Sequence, residues 1–264
     1  MASAWSLSAD FSTINSYTVW SYGYKPPGYQ VTGSFVLFTH LTLDPLDSGI
    51  IFWTPPENVP NPQNNVNPIH EDGPSISYNL NPITTILDVG SSRIIYPAHS
   101  INIHPSCDGK FSVARFTAPV DGNYALSVIF THIDDHSNFT HTGGYIIYNN
   151  SMTLWETDIF GIGDLKSYES AESGITVKKN ETIDFIIGNG LDNTCYYDST
   201  LANVEIRLLL NNSTNKQPLM STILFGFGLG LFCYYISYVL YSRYKHWKNT
   251  SIYEPLMANT VAHP

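Results

Sequence analysis

Apolar and polar residues alternate along several short stretches of this chain, and this alternation constrains its fold more than any other feature. In 123–133, Tyr124, Leu126, Val128 and Phe130 fall on one face of an extended chain. Side chains point to opposite faces of a β-strand in turn, so each such stretch predicts a strand with one buried face. The same pattern places further apolar residues on buried faces: Ile183, Phe185, Ile187, Val204, Ile206 and Leu208.

Turn-forming sequences separate these strands, among them APVDGN, GIGD and KKNE. No stretch before residue 211 has the periodicity of an amphipathic helix. Many short strands divided by turns predict an all-β head over residues 1–210, folded as an antiparallel β-sandwich or jelly roll. Further strand-like runs lie at 31–43, 49–53, 111–118, 143–149, 152–158 and 174–178.

One segment of the head, residues 54–82, breaks the strand pattern. It holds seven prolines and seven asparagines. Proline cannot donate to a sheet ladder, so the composition predicts a long ordered loop rather than central sheet. Such a loop is either a binding surface or an insertion without function, and the sequence leaves both open.

Residues 219–241 form an uncharged run of 23 residues near the end of the chain. A helix rises about 1.5 Å per residue, so roughly 20 residues cross a hydrocarbon core of about 30 Å. We therefore predict one transmembrane helix in a lipid bilayer, after a linker at 211–218 and before a short polar tail at 242–264. Gly226 and Gly230 have a spacing that would let two such helices pack closely as a homo-oligomer.

Charge and cysteine content narrow the classes of function. The chain has a formal net charge of −10, which argues against nucleic acid as a partner. Only 13% of its residues are charged and 14% are aromatic, which favours a folded β-rich protein over a disordered one. Cys107 and Cys195 in the head either form a disulfide or remain thiols, and the sequence does not decide between the two.

A series of short motifs runs in order along the head, from about residue 5 to residue 210. They are DFS (10–12), VWSYGY (19–24), Trp53, HP (104–105), VARFTAPVDGNYALS (113–127), YIIYNN (145–150), GD (163–164), VKKNETIDFIIGNG (177–190) and YYDST (196–200). With these motifs the head resembles a carbohydrate-binding-like jelly-roll module of secreted and surface-anchored bacterial proteins.

The resemblance implies a carbohydrate-binding-like sandwich with no catalytic assignment and no defined ligand. The family has a glycine and an acidic residue before its TIDF-like strand. Asn180 and Glu181 stand there in this chain, so a role tied to that glycine and acidic residue is not carried over.

Two groups of residues are candidates for binding a metal. The segment 132–141 combines imidazoles and carboxylates, which together hold divalent transition metals. The alternative is an ordinary polar loop, because the helical spacing of known zinc motifs is absent. The zinc-type candidates are His132, Asp134, Asp135, His136 and His141, and a structural calcium would use Asp134, Asp135 or Asp198.

Exposed aromatic side chains are the expected carriers of glycan binding. The candidates are Trp53, Tyr78, Trp155, Tyr196 and Tyr197, although large aromatics on strand patterns are more often core residues. No nucleophile elbow and no metalloprotease motif occurs, so we predict no catalytic residues and no cofactor.

The flanks of the transmembrane run give conflicting indications of topology. Arg243, Lys245 and Lys248 follow the run, which favours an exported head by the positive-inside tendency. Residues 1–20 lack the apolar region of a signal peptide, which favours a head that folds in the cytosol. We interpret the head as cytosol-facing, with an extracellular head as the alternative.

Together these features predict a non-catalytic, membrane-anchored docking protein that contacts other structural proteins through the loops of its head. One version is a minor capsid protein of a large DNA virus, linking an internal membrane to the shell. Two alternatives stay open: a cell-surface receptor or adhesin that binds glycans, and a membrane-tethered hydrolase.

Overall fold

The structure, a computed structural model, describes residues 3–27, 31, 33–44, 47–56, 73–89, 92–135 and 140–210. These residues belong to one compact unit and form strands and turns without an α-helix. No helix among them is long and apolar enough to cross a membrane. The predicted transmembrane run 219–241, with Gly226 and Gly230, lies outside the described residues, and so does the tail that follows it.

The larger of two facing sheets has nine antiparallel strands. They are β1 (Ala4–Ser6), β4 (His40–Leu43), β5 (Ile50–Thr54), β6 (Ser75–Asn79), β9 (Ile101–His104), β11 (Gly122–His132), β15 (Leu165–Glu169), β16 (Ile175–Val177) and β18 (Thr200–Leu209). The main order is β15-β11-β18-β9-β6-β5-β4, with β1 paired to β18 and β16 paired to β11.

The second sheet has six antiparallel strands. They are β2 (Trp20–Lys25), β3 (Val36–Leu37), β10 (Phe111–Thr117), β13 (His141–Tyr148), β14 (Met152–Phe160) and β17 (Thr182–Asn189). The order is β14-β13-β17-β10-β2-β3, so β14 is an edge strand. Asn149 and Asn150 adopt φ values of 48° and 59° in the turn between β13 and β14, a left-handed conformation that asparagine tolerates better than most residues.

The main core fills the space between these two sheets, as the alternation predicts. Of the inward-facing residues predicted above for β11, β17 and β18, all except Leu208 are at most 1% exposed. Leu208 is half-buried. The sequence therefore predicted the face of each central strand correctly. The structure confirms an all-β fold of packed antiparallel sheets.

A third sheet of three short strands covers the outer face of the nine-stranded sheet. It consists of β7 (Thr85–Val89), β8 (Ser92–Tyr96) and β12 (Asp134–Asp135), in the order β12-β8-β7. A second apolar cluster joins it to β5, where Ile50 and Phe52 meet Leu87, Ile94 and Tyr96. The alternation alone did not predict this layer.

The prediction that residues 54–82 form one long loop is wrong in part. Within that segment β6 lies between β5 and β9, inside the nine-stranded sheet. This strand occupies the proline-free stretch between Pro74 and Pro82, so no ladder donor is lost from it. Residues 57–72, which hold three of the seven prolines, lie outside the described residues.

The head has two distinct ends. At one end β18 finishes at Leu209, opposite Asn123, beside the turn in which Lys179 donates to Asp121. At the other end β18 begins at Thr200, opposite His132, and the chain crosses between the two sheets through residues 161–164. We call these the exit end and the far end.

Candidate functional site

A cleft lies on the outer face of the six-stranded sheet, toward the far end, where β13 meets the edge strand β14. Gly143 is opposite Asp158 and Tyr145 is opposite Glu156, so these residues share the outer face. The cleft has a volume of about 310 Å³, near the lower limit of about 300 Å³ for small-ligand sites. Its wall is completed by Gly190 and Leu191 from the loop after β17.

Glycines form the floor of this β13–β14 cleft. Gly143 pairs directly with Gly188 of β17, and the ring of Tyr145 lies across Gly143. A Cβ at Gly143 would stand 2.5 Å from the Tyr145 hydroxyl oxygen, which no side chain could accept without moving that ring. The Phe111 ring covers Gly188 in the same way. Glycine is therefore required here so that two aromatic rings can lie flat on the sheet.

The two rings meet at right angles and present a half-exposed aromatic surface. The centroids of Phe111 and Tyr145 are 6.1 Å apart at an interplanar angle of 87°. Burial, followed by the nearby charges of Glu156 and Asp158, raises the pKa of Tyr145 above its usual value. The phenol is therefore neutral and available to donate a hydrogen bond at physiological pH.

Carboxylates surround the cleft on the side of β14. Asp158 Oδ2 lies 2.6 Å from His141 Nδ1, and the backbone N–H of His141 donates to Asp192 at 2.9 Å. Glu156 is exposed on the same face as Asp158. None of the residues lining the cleft is lysine or arginine, so the cleft is acidic.

A disulfide holds the loop that supplies the far wall. The loop 190–199 joins β17 to β18, and its Cys195 is linked to Cys107 in the turn before β10, with Cα atoms 4.7 Å apart. Gly190 donates its N–H to the His141 carbonyl at 2.9 Å, which ties the start of the loop to β13. Both ends of the loop segment that carries Leu191 are thereby fixed.

Buried carboxyl groups lie behind this loop. Asp198 is fully buried, and Thr142 donates to its Oδ1 at 2.8 Å. Burial raises the pKa of Asp198 to about 9, with added repulsion from Asp192, Asp134 and Asp158. Burial likewise raises the pKa of Asp134 to about 7.

The structure separates the residues predicted to bind a zinc-type metal. His132 is buried and its Nε2 lies 2.5 Å from the Tyr197 carbonyl, while burial lowers its pKa. Asp134 and Asp135 pair with β8 in the third sheet, and His141 lies at the cleft beside Asp158. His136 lies outside the described residues. Within the described ranges no three histidine, cysteine or acidic side chains are grouped to hold a metal ion.

Three of the five aromatic residues predicted to bind glycans pack against the main core. Trp53 is 5% exposed and donates from Nε1 to the Ser12 carbonyl at 3.0 Å. Tyr78 stacks on Phe11, and Trp155 lies against Phe130 in the main core. Tyr197 is half-buried, and Tyr196 is the one member of the set that is largely exposed, at 57%.

The residues of the cleft were not identified from the sequence. Tyr145, Glu156 and Asp158 sit at outward positions of strands, where polar residues are usually only solvated. Gly143 and Gly144 precede Tyr145, and glycine inside a strand often marks a close approach of another group. That glycine pair was the available signal.

A second charged cluster lies on the same outer face, away from the cleft. Lys25 and Arg115 both bind the buried Asp184, at 2.9 Å and 2.6 Å. Arg115 also donates to Asn150 and stacks over Phe35 with 4.1 Å from its guanidinium carbon to the ring centroid. Burial, which outweighs attraction from Asp184, lowers the pKa of Lys25. Because Lys25 of β2 and Arg115 of β10 both bind Asp184 of β17, this cluster links three neighbouring strands on the outer face.

Comparisons with known proteins give only distant structural likenesses. No family model matches the sequence, and no curated protein matches it significantly. One weak structural match is the enzymatically active domain of tailspike protein 4 from bacteriophage CBA120, at 9% identity and a TM-score of 0.29. The match covers 52% of this chain and 18% of the tailspike chain.

Two carbohydrate-binding modules are also among the structural matches. TmCBM61, solved with β-1,4-galactotriose, is 10% identical, with a TM-score of 0.25 and coverage of 51% of this chain and 86% of its own. The N-terminal cellulose-binding domain of β-1,4-glucanase C from Cellulomonas fimi is 10% identical, with a TM-score of 0.25 and coverage of 45% and 84%. TM-scores this low do not establish a common function.

Proposed function

We propose that the head is a non-catalytic recognition module that binds a saccharide in the β13–β14 cleft. The observation that carries this proposal is a solvent-open cleft in which a half-exposed tyrosine ring lies beside two carboxylates on a rigid sheet. A flat ring packs against the apolar face of a sugar, and carboxylate oxygens accept hydrogen bonds from its hydroxyls. Placement on strands rather than on a free loop favours a preformed site.

A glycan array probed with the full chain in detergent tests this proposal. We expect Tyr145→Ala to weaken binding of any retained glycan at least about 10-fold, since a central aromatic contact contributes about 2 kcal/mol or more. Tyr17→Ala is the matched control, because Tyr17 is 77% exposed and lies outside the cleft. Unchanged binding in a folded Tyr145→Ala variant would refute the assignment of the site.

The same array distinguishes binding from hydrolysis. Glu156 and Asp158 are two residues apart on one strand face, and paired carboxylates are also the groups that cleave glycosidic bonds. We expect no new reducing ends after long incubation with bound glycans. Release of reducing ends that Glu156→Gln abolishes would instead support the membrane-tethered hydrolase.

The docking interpretation from the sequence depends on the segment 54–82, of which only the two flanks and β6 are described. It stays a prediction that this segment contacts structural proteins. Replacing residues 57–72 with a short Gly/Ser linker tests it without removing β6. Loss of incorporation into a parent assembly, with glycan binding intact, would favour docking over saccharide recognition.

We also propose that the head lies on the extracytosolic side of the membrane. The Cys107–Cys195 disulfide supports a head on the oxidising, extracytosolic side, because disulfides rarely persist in the cytosol. We therefore prefer the extracellular alternative to the cytosol-facing interpretation made from the sequence. An extracytosolic saccharide-binding head on a single membrane helix would act as a surface receptor or adhesin.

A further inference from the structure

The β13–β14 cleft offers hydrogen-bond acceptors but few donors. Glu156 and Asp158 present carboxylates, whose oxygens accept hydrogen bonds. The one imidazole at the cleft, that of His141, has its Nδ1 atom bound to Asp158 at 2.6 Å. The hydroxyls of Tyr145 and Thr157 are the remaining side-chain donors among the residues that line the cleft.

The charged side chains that line the cleft, Glu156 and Asp158, are both acidic. Lys25 and Arg115, on the same outer face, bind Asp184, and Lys166 is bound to Asp164 at 2.9 Å. A ligand in the cleft therefore meets these two carboxylates first, in a chain whose net charge is −10.

A positively charged group suits this cleft better than a neutral or negative one. An ammonium group donates only, which complements the two carboxylates with charge-assisted hydrogen bonds. It is also attracted to the face of an aromatic ring, here the half-exposed ring of Tyr145. Acidic sugars would meet two like charges at the same position.

We propose that the β13–β14 cleft selects a saccharide that bears a free amine and rejects acidic saccharides. This inference rests on the proposed saccharide-binding function and names the ligand class of that site. The amine lies between Glu156 and Asp158, and the ring of Tyr145 supports the adjoining sugar. N-acetylation of the amine removes its charge. The acetylated sugar therefore loses the charge-assisted hydrogen bonds to the carboxylates and the attraction of the ammonium group to the aromatic ring.

Three matched probes test this selectivity with the full chain in detergent at about pH 6, where an amine is protonated. They are a tetramer of β-1,4-glucosamine, the same tetramer fully N-acetylated, and a tetramer of galacturonic acid. We expect calorimetry to show binding of the amine probe at least about 10-fold tighter than the acetylated probe. The uronic acid probe should not bind, and raising the salt concentration should weaken binding of the amine probe alone.

Isosteric variants connect the selectivity to the carboxylates. Glu156→Gln and Asp158→Asn should each reduce the preference for the amine probe by about 5-fold or more, while the weak binding of the acetylated probe changes little. Glu205→Gln is the control, because Glu205 is exposed on β18 in the other sheet. Equal thermal melting of the variants would show that each remains folded.

The outcomes separate the two proposals. Equal binding of the amine and acetylated probes, or tighter binding of the uronic acid, overturns the amine selectivity and leaves the saccharide-binding function standing. Absence of binding to all three probes and to the glycan array overturns both. A preference for the amine probe that survives Glu156→Gln and Asp158→Asn also overturns the inference, since the charge would then come from elsewhere.

Discussion

Asp184 holds two cations on the outer face of the six-stranded sheet, and the three side chains form one electrostatic unit. Lys25 is 1% exposed and Asp184 is fully buried, so neither charge is screened by solvent. Removing the anion leaves a buried lysine beside an arginine with nothing to compensate them.

We expect Asp184→Asn to lower the free energy of unfolding by about 3–5 kcal/mol, as for other broken buried ion pairs. Urea denaturation followed by tryptophan fluorescence measures the change. Asp88→Asn is the control, because Asp88 pairs with Arg93 at the surface and should cost at most about 1 kcal/mol. A loss below about 1 kcal/mol for Asp184→Asn would show that the cluster does not stabilise the fold.

Asp198 predicts an unusual dependence of stability on pH. Its folded-state pKa of about 9 lies above the value of about 3.9 for an unfolded aspartate. Between these values the native state keeps a proton that the unfolded state has lost, so stability falls as pH rises, by at most about 1.4 kcal/mol per pH unit. Below pH 4 both states are protonated and the contribution is constant.

An asparagine side chain at position 198 does not ionise, so it stays neutral at every pH. Its amide oxygen can still accept the hydrogen bond from Thr142. Asp198→Asn should therefore raise the urea midpoint at pH 8 and leave it nearly unchanged at pH 4. Asp88→Asn serves as the control, because Asp88 is exposed and lies on another sheet. Parallel pH profiles for wild type and Asp198→Asn would contradict the expectation.

Among the elements, the loop 190–199 depends most on a covalent link. The disulfide joins residues separated by 88 positions in the sequence. Replacing both Cys107 and Cys195 with alanine should lower the free energy of unfolding by about 2–4 kcal/mol, because the unfolded chain without the link has more conformational freedom. Reductant should lower the melting temperature of the wild type by a matching amount. It should leave the melting temperature of the double variant unchanged.

The central strands could be predicted from the sequence because each buries one face. In β11, β17 and β18 the alternation identifies the inward residues directly, since the period of a strand is fixed by its geometry. In contrast, β6 is only five residues long and lies among prolines and asparagines, so local composition concealed it. The third sheet escaped notice because its short strands depend on packing against β5 rather than on their own pattern.

The cleft could not be predicted because it depends on the pairing register. Whether Asp158 faces Gly143, and whether Tyr145 covers that glycine, is decided by how β13 aligns with β14 and β17. A shift of one residue would move these side chains to the core face. The sequence shows the glycines and the acidic residues, and the fold alone shows that they share a surface.

For the whole molecule, the transmembrane prediction is tested by truncation. Deleting residues 219–264 should release the head from membranes, because the apolar run is its proposed anchor. High-salt and carbonate washes of fractionated membranes measure the distribution. Retention of the truncated head after both washes would mean that another part of the chain binds the membrane.

The orientation of the head is tested on intact cells. An extracytosolic head should be degraded by added protease and should migrate faster on gels without reductant than with it, because the disulfide keeps the denatured chain compact. A head that resists protease until the membrane is opened, with both thiols free to alkylation, would restore the cytosol-facing interpretation.

The exit end and the far end lie at opposite ends of the head, and this affects how strongly a surface that carries many heads could bind a saccharide polymer. β18 leaves the sandwich at Leu209, while the wall of the cleft is built by the loop that precedes β18 at the opposite end. Attachment through the C-terminus would therefore hold the head at the end opposite to the cleft wall, and a layer of such heads would carry many clefts. Many weak contacts between such clefts and a repetitive saccharide polymer would act together as avidity. A low affinity of each single cleft is therefore compatible with firm adhesion of a surface that carries many heads.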